Sequence, residues 1–154
     1  MNFNSILAAL PKPNEKRIAL HINQQAEHAL RQGHPWVFDQ SITEQGHEGQ
    51  PGDLAVIFDD RRKFLAIGLY DPTSPIRVRI LQSRQAATID TSWFTNRIRS
   101  SALLRKPLTE LSAEKITTGW RLIHGENDGL PGLVIDHYAG TFVVKIYTPA
   151  WIPH

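Results

Sequence analysis

The sequence predicts an α+β fold that is mainly β: a small, strongly bent sheet or pseudo-barrel followed by a second unit. Three observations carry this reading. Short apolar runs rich in β-branched residues recur between Arg17 and Leu81, separated by Gly, Pro and Asp turn residues. One short helical pattern interrupts them. After Arg84 the pattern changes to a longer helix, and a glycine-rich loop then leads into further apolar runs.

The elements of the first part follow in order. "RIALHI" (Arg17 to Ile22) is a first strand, and "NQQAEHALRQG" a short helix with Asn23 as N-cap and Gly33 as terminator. Pro35 disfavours helical backbone at His34, so "HPWVF" emerges extended, with Trp36 and Phe38 on one side and Val37 on the other. "GHEGQPGD" is a glycine-spaced loop. "LAVIF" and "KFLAIGLY" form a hairpin through "DDRR", and "DPTSP" turns the chain into "IRVRIL". Strand alternation puts Arg77 and Arg79 on one face of that last strand and Ile76, Val78 and Ile80 on the other.

Asp90 then caps a helix from Thr91 to Arg105, with Phe94, Ile98 and Ala102 along one face. "PLTELSAEKITTGW" is a connector with helical potential. The loop "HGENDGLPG" leads into "LVIDHY", a turn at Ala139-Gly140, and "TFVVKIY".

Composition narrows the function. No run among the 154 residues approaches the length of a membrane helix, and the start "MNFNSILAALPKPNEK" has neither leading positive charge nor a cleavage site. Residues 1–14 therefore read as a cytoplasmic N-terminal extension. The absence of cysteine removes disulfides, thiolate zinc sites and any cysteine nucleophile. The net charge is only +2, yet Asp60 to Lys106 holds ten Lys and Arg against three acids. Such asymmetry suits a polyanionic partner, with solvated faces as the alternative.

"GENDGLPG" invites a test for chemistry. With Gly129 as the sixth position of a calcium loop, the twelfth is Ile135 where a bidentate carboxylate is required. A phosphate loop needs Lys and Ser or Thr after its glycine, and Leu130 and Pro131 follow Gly129. The structural reading is stronger. Gly125, Gly129 and Gly132 supply unusual backbone conformations, Pro131 stiffens the turn, and Asp128, with Glu126 beside it, hydrogen-bonds backbone amides two residues on. A small metal-dependent enzyme using Glu126, Asp128 and Asp136 stays open as an alternative. Dinucleotide, nucleophile-elbow and HExxH signatures are missing.

"HPWVF", "PGDLAVIFDDRRKFLAIGLYDPTSPIRVRIL" and "RLIHGENDGLPGLVIDHYAGTFVV" together resemble the N-terminal part of the S-adenosylmethionine-dependent large-subunit ribosomal RNA cytosine-C5 methyltransferases. "GENDGLPGLVIDHY" is the most specific stretch. The resemblance implies a PUA-like pseudo-barrel that binds RNA over residues 15–85, followed by a truncated small α/β domain over 86–154. It places the methyltransferase domain, with its cofactor loop and cysteine nucleophile, after both. S-adenosylmethionine is then the cofactor of the parent enzyme, while this chain carries no catalytic, cofactor or metal site and is inactive by itself. A stand-alone RNA-binding module is the alternative within the same fold. The apolar end "FVVKIYTPAWIPH" reads as a cut inside the second domain, with an open strand edge over Phe142 to Tyr147 that favours a homodimer.

RNA, ribosomal by the resemblance, is the expected partner, and no membrane is. Phosphates are met by Arg and Lys and unpaired bases by aromatic faces. The candidates are Arg61, Arg62 and Lys63 in the hairpin turn, Arg77 and Arg79 on one strand face, and His34, Trp36 and Tyr70. Each has a structural alternative: the turn cluster paired with Asp59 and Asp60, the two arginines on a solvated face, Trp36 in the core, Tyr70 capping the barrel. His124 and His137 read as structural.

Overall fold

The computed structural model describes residues 8–109 and 117–154. The chain divides into two units, one running to Ala86 and including Thr148–His154, the other spanning Ala87–Tyr147. The sequence reading placed all of 86–154 in the second unit. The last seven residues instead return to the first, because Ala150 and Trp151 are buried there and Thr148 bonds to Asp71. Their apolar character reflects burial against their own chain.

In the first unit β1 (Ile18–Ile22), β2 (Trp36–Phe38), β3 (Ile42–Gln45), β4 (Leu54–Phe58), β5 (Phe64–Tyr70) and β6 (Ile76–Ser83) form one sheet in the order β2-β6-β5-β4-β1-β3. Only β1 and β4 run parallel. The sheet curls because all of its antiparallel pairings carry a register shift, and each shift increases local twist. At Gly68 the strands come so close that a Cβ would run into the Arg79 carbonyl, so no larger residue fits. Alternation along β1 buries Ile18, Leu20 and Ile22 in a core shared with Val37, Ala55 and Ile57.

Helix α1 (Gln24–Arg31) starts where the Asn23 side chain accepts from the Ala26 amide at 2.9 Å. It ends at Gly33, whose φ of 94° lets the His34 amide reach back to the Ala29 carbonyl. Strand β3 went unpredicted. Its four residues show no apolar alternation, and its place comes from pairing with β1.

In the second unit α2 (Thr91–Thr109) is capped by Asp90, which accepts from the Trp93 amide at 2.8 Å. Strands β7 (Gly119–His124), β8 (Leu133–Tyr138) and β9 (Thr141–Ile146) form an antiparallel sheet in that order. The helix runs four residues past the predicted Arg105, through Pro107 in its last turn. Half of the predicted helical connector, residues 110–116, lies outside the described residues, and β7 begins at its end. The apolar stripe Phe94, Ile98, Ala102 is not the packed face. Ser101 is buried while Ile98, Leu103 and Leu104 are exposed, because Arg97, Ser101 and Arg105 turn toward the loop before β8. Among the described residues no helix is long and apolar enough to cross a membrane.

Candidate nucleic-acid interface

The candidate interface starts from the alternation in β2. Val37 is fully buried, so Trp36 and Phe38 must stand on the outer side, where both are half-buried against α1. Between them and the helix lies a cavity of about 550 Å³, lined also by Ala26, Ala29, His34 and Gln40. The Trp36 ring meets His34 at 5.8 Å and Phe38 at 6.4 Å, each at 85°. His34 Nδ1 lies 3.0 Å from the Trp36 carbonyl oxygen, which fixes the imidazole beside the indole. The alternative that put Trp36 in the core is replaced by a half-buried ring on an outer groove.

The hairpin turn between β4 and β5 holds Arg61, Arg62 and Lys63, all exposed. Asp59 organises it by accepting from the Arg61 and Lys63 amides at 3.0 and 2.7 Å, while Arg62 adopts φ 59°. The Lys63 amide bond holds the Asp59 carboxyl below the usual carboxylate range against the opposing effect of burial, with help from the Arg61 amide and the Arg31 charge. Asp59 is thus tied to backbone amides and to Arg31 at 3.1 Å, and the turn's three basic residues are exposed. Sequence reading missed the cavity of about 610 Å³ beside this turn, where Glu27, Asp59 and Asp60 bring carboxylate oxygens within 4.8 Å of one another.

Arg77 and Arg79, expected on one accessible strand face as RNA-binding candidates, do not form such a face. Arg79 is buried at 7% exposure; it donates to the Ile76 carbonyl at 3.1 Å and lies 3.8 Å from the Asp71 carboxylate. Arg77 is half-buried, donates to the Pro72 carbonyl and stands 3.8 Å from Asp39. Tyr70 is in the core at 4% exposure, with its hydroxyl donating to Gln45, and is no stacking platform. The bulged, curled sheet explains all three: curling turns both faces of β5 and much of β6 inward.

The loop after β7 is held by ion pairs that sequence spacing could not show. Gly125, Gly129 and Gly132 all take positive φ (52°, 69° and 76°), and Pro131 is buried. Asp128 accepts from both terminal nitrogens of Arg105 at 2.6 and 2.7 Å and from the His124 amide, four residues before it rather than two after. Asp136 pairs with Arg121 at 2.7 Å. The metal alternative built on Glu126, Asp128 and Asp136 fails here, since two of its three carboxylates are each occupied by a guanidinium and the third is exposed.

The PUA-like domain family matches residues 20–83. The first unit contains a PUA-like domain. The chain around it is 46% identical over 145 residues to a ribosomal RNA large subunit methyltransferase of Deinococcus radiodurans, covering 94% of this chain and 36% of that one. It is 36% identical over 126 residues to ribosomal RNA large subunit methyltransferase I of Alteromonas mediterranea, covering 82% and 31%. A solved structure assigned as a SAM-dependent methyltransferase from Streptococcus mutans superposes with a TM-score of 0.69 at 20% identity, over 84% of this chain and 33% of that one. A second, assigned as a methyltransferase and complexed with SAH, gives 0.69 at 19% identity over 86% and 32%. The chain therefore spans about a third of the length of these relatives, and the resemblance to large-subunit ribosomal RNA methyltransferases read from the sequence holds. The groove at Trp36 and the turn at Arg61 to Lys63 both lie inside the matched PUA-like domain.

Proposed function

We propose that this chain is the RNA-recognition N-terminal region of an S-adenosylmethionine-dependent ribosomal RNA methyltransferase acting at cytosine C5, in the cytoplasm. Its PUA-like domain positions RNA for a catalytic domain that follows in the longer protein. The observation that carries the reading is an aromatic groove and an exposed basic turn on a PUA-like domain, in a chain 46% identical to a ribosomal RNA large subunit methyltransferase. Cytosine C5 rests on the sequence resemblance alone, of which "GENDGLPGLVIDHY" is the most specific stretch. S-adenosylmethionine would supply the methyl group beyond this chain; the chain's own residues bind and orient. Lys and Arg of the turn meet phosphates, and the groove meets a base. The strand β9, exposed along its whole length, carries a proposed self-association.

The test is a titration of labelled large-subunit ribosomal RNA fragments against the chain at low salt, beside calorimetry with S-adenosylmethionine. RNA binding without saturable cofactor heat is the expected result. Absence of RNA binding would overturn the assignment, and one-to-one cofactor heat would overturn the division of labour. A natural stop codon after His154 would favour a stand-alone RNA-binding module.

A further inference from the structure

We infer that the groove between α1 and β2 is a seat for one unpaired nucleobase turned out of its strand, so that the PUA-like domain reads RNA by a base and not only by charge. This deepens the RNA-binding reading proposed above and rests on it. The lining decides the chemistry. Trp36, Phe38 and His34 supply ring surface, and Ala26 and Ala29 on α1 leave the space open because their side chains stop at Cβ. Rings set at right angles form a corner: a flat ligand that stacks on one ring presents its edge to the next. A volume of about 550 Å³ is in the range of small-ligand pockets.

Charge excludes the phosphate. Among the described residues that line this groove there is no Lys, Arg, Asp or Glu, so an anion would be desolvated without a cation to meet it. A neutral base loses little. Gln25 and Gln40 stand at the groove with carboxamides that offer a donor and an acceptor to a base edge. The Asn23 carboxamide oxygen is engaged as the helix cap. The cavity beside the hairpin turn, by contrast, sets Glu27, Arg31, Asp59, Asp60, Arg61 and Lys63 beside Gln24, His28 and Phe64, so charge dominates its lining. The groove is also preorganised. Val37 anchors β2 in the core and His34 is fixed to the Trp36 carbonyl, so little freedom remains to be lost on binding.

The experiment compares a single-stranded RNA of nine nucleotides with an abasic oligomer of equal length and charge, by fluorescence anisotropy on the full 154-residue chain. The wild type is expected to bind the base-bearing strand about ten-fold tighter, as one stacked base implies. Trp36→Ala, and Ala29→Leu, which fills the groove from the helix side, should bind both strands as the wild type binds the abasic one. Should circular dichroism show Trp36→Ala unfolded, Ala29→Leu decides, since leucine suits a helix. Equal binding of the two strands by the wild type, or a preference that survives in folded Ala29→Leu, would overturn the seat and leave charge-driven RNA binding standing. Failure to bind either strand would overturn the RNA-binding reading as well.

Discussion

Thr148 donates a hydrogen bond of 2.6 Å to Asp71, a residue 77 positions earlier, and both side chains are buried. This bond closes the first unit, since it ties the returning chain end to the turn between β5 and β6, where Arg79 and Thr73 also meet Asp71. Thr148→Val keeps the shape and removes the donor. It should cost about 1 to 3 kcal/mol, the range for a buried acceptor that loses a partner. Urea unfolding checks this, and an unchanged midpoint would mean that this bond contributes nothing to the stability of the unit.

Acid should unfold the protein early. Burial pushes Asp71, Asp53 and Asp128 upward, yet the hydrogen bonds they accept outweigh it and hold all three below the ordinary carboxylate value. Thr148 and Thr73 donate to Asp71, Gln50 and Asn14 to Asp53, Arg105 and His124 to Asp128. A carboxyl whose folded pKa is depressed binds fewer protons folded than unfolded. Its stabilisation is complete above the unfolded value near 3.8 and is lost as pH falls through the lower folded value. Melting temperature should therefore hold from pH 7 to about 5 and drop steeply below about 4. Asp71→Asn should flatten that drop.

Breaking the Arg105–Asp128 pair should unlock the loop after β7. Asp128→Ala strands a guanidinium that is mostly buried, with 16% of its side chain exposed, and the cost should be on the order of 3 kcal/mol. Thermal melts with magnesium, calcium or EDTA should coincide for the wild type. A metal-dependent rise would return the carboxylates of this loop to consideration as ligands.

RNA affinity should depend on salt through the hairpin turn rather than through β6. Replacing Arg61, Arg62 and Lys63 with Ala should flatten the slope of log K against log[salt] by up to about 2, at roughly 0.7 per phosphate contact on single strands. Arg79→Ala should lose folded signal in circular dichroism instead, because it leaves buried Asp71 without its cation. A folded Arg79→Ala with a flattened slope would restore that strand face to the interface.

Self-association should run through β9. It is an edge strand whose Phe142, Val144 and Ile146 are each at least half exposed, and its outer edge pairs with no strand among the described residues. Sedimentation should show mass rising with concentration, and Val144→Lys should suppress it. A monomer at high concentration would remove β9 as a contact surface.

Local signals in the sequence determined most of the elements. Asn23, Gly33, Pro35 and Asp90 set helix and strand boundaries through caps and forbidden backbone angles, and alternation placed Trp36 and Phe38 opposite Val37. These are short-range effects, complete within a few residues, so they can be read from the sequence without knowing what packs against them. Tertiary structure alone decided which faces are inside. Period-two alternation assigns Arg77 and Arg79 to one face but cannot say that curling and bulges turn this face toward Asp71. The apolar stripe on α2 lost to Arg97, Ser101 and Arg105 because Asp128, brought in from beyond β7, supplies a charge partner. The apolar end finds its place only once Thr148 meets Asp71. The groove beside Trp36 likewise depends on α1 lying across β2, a long-range packing choice made by the shared core and not by either segment.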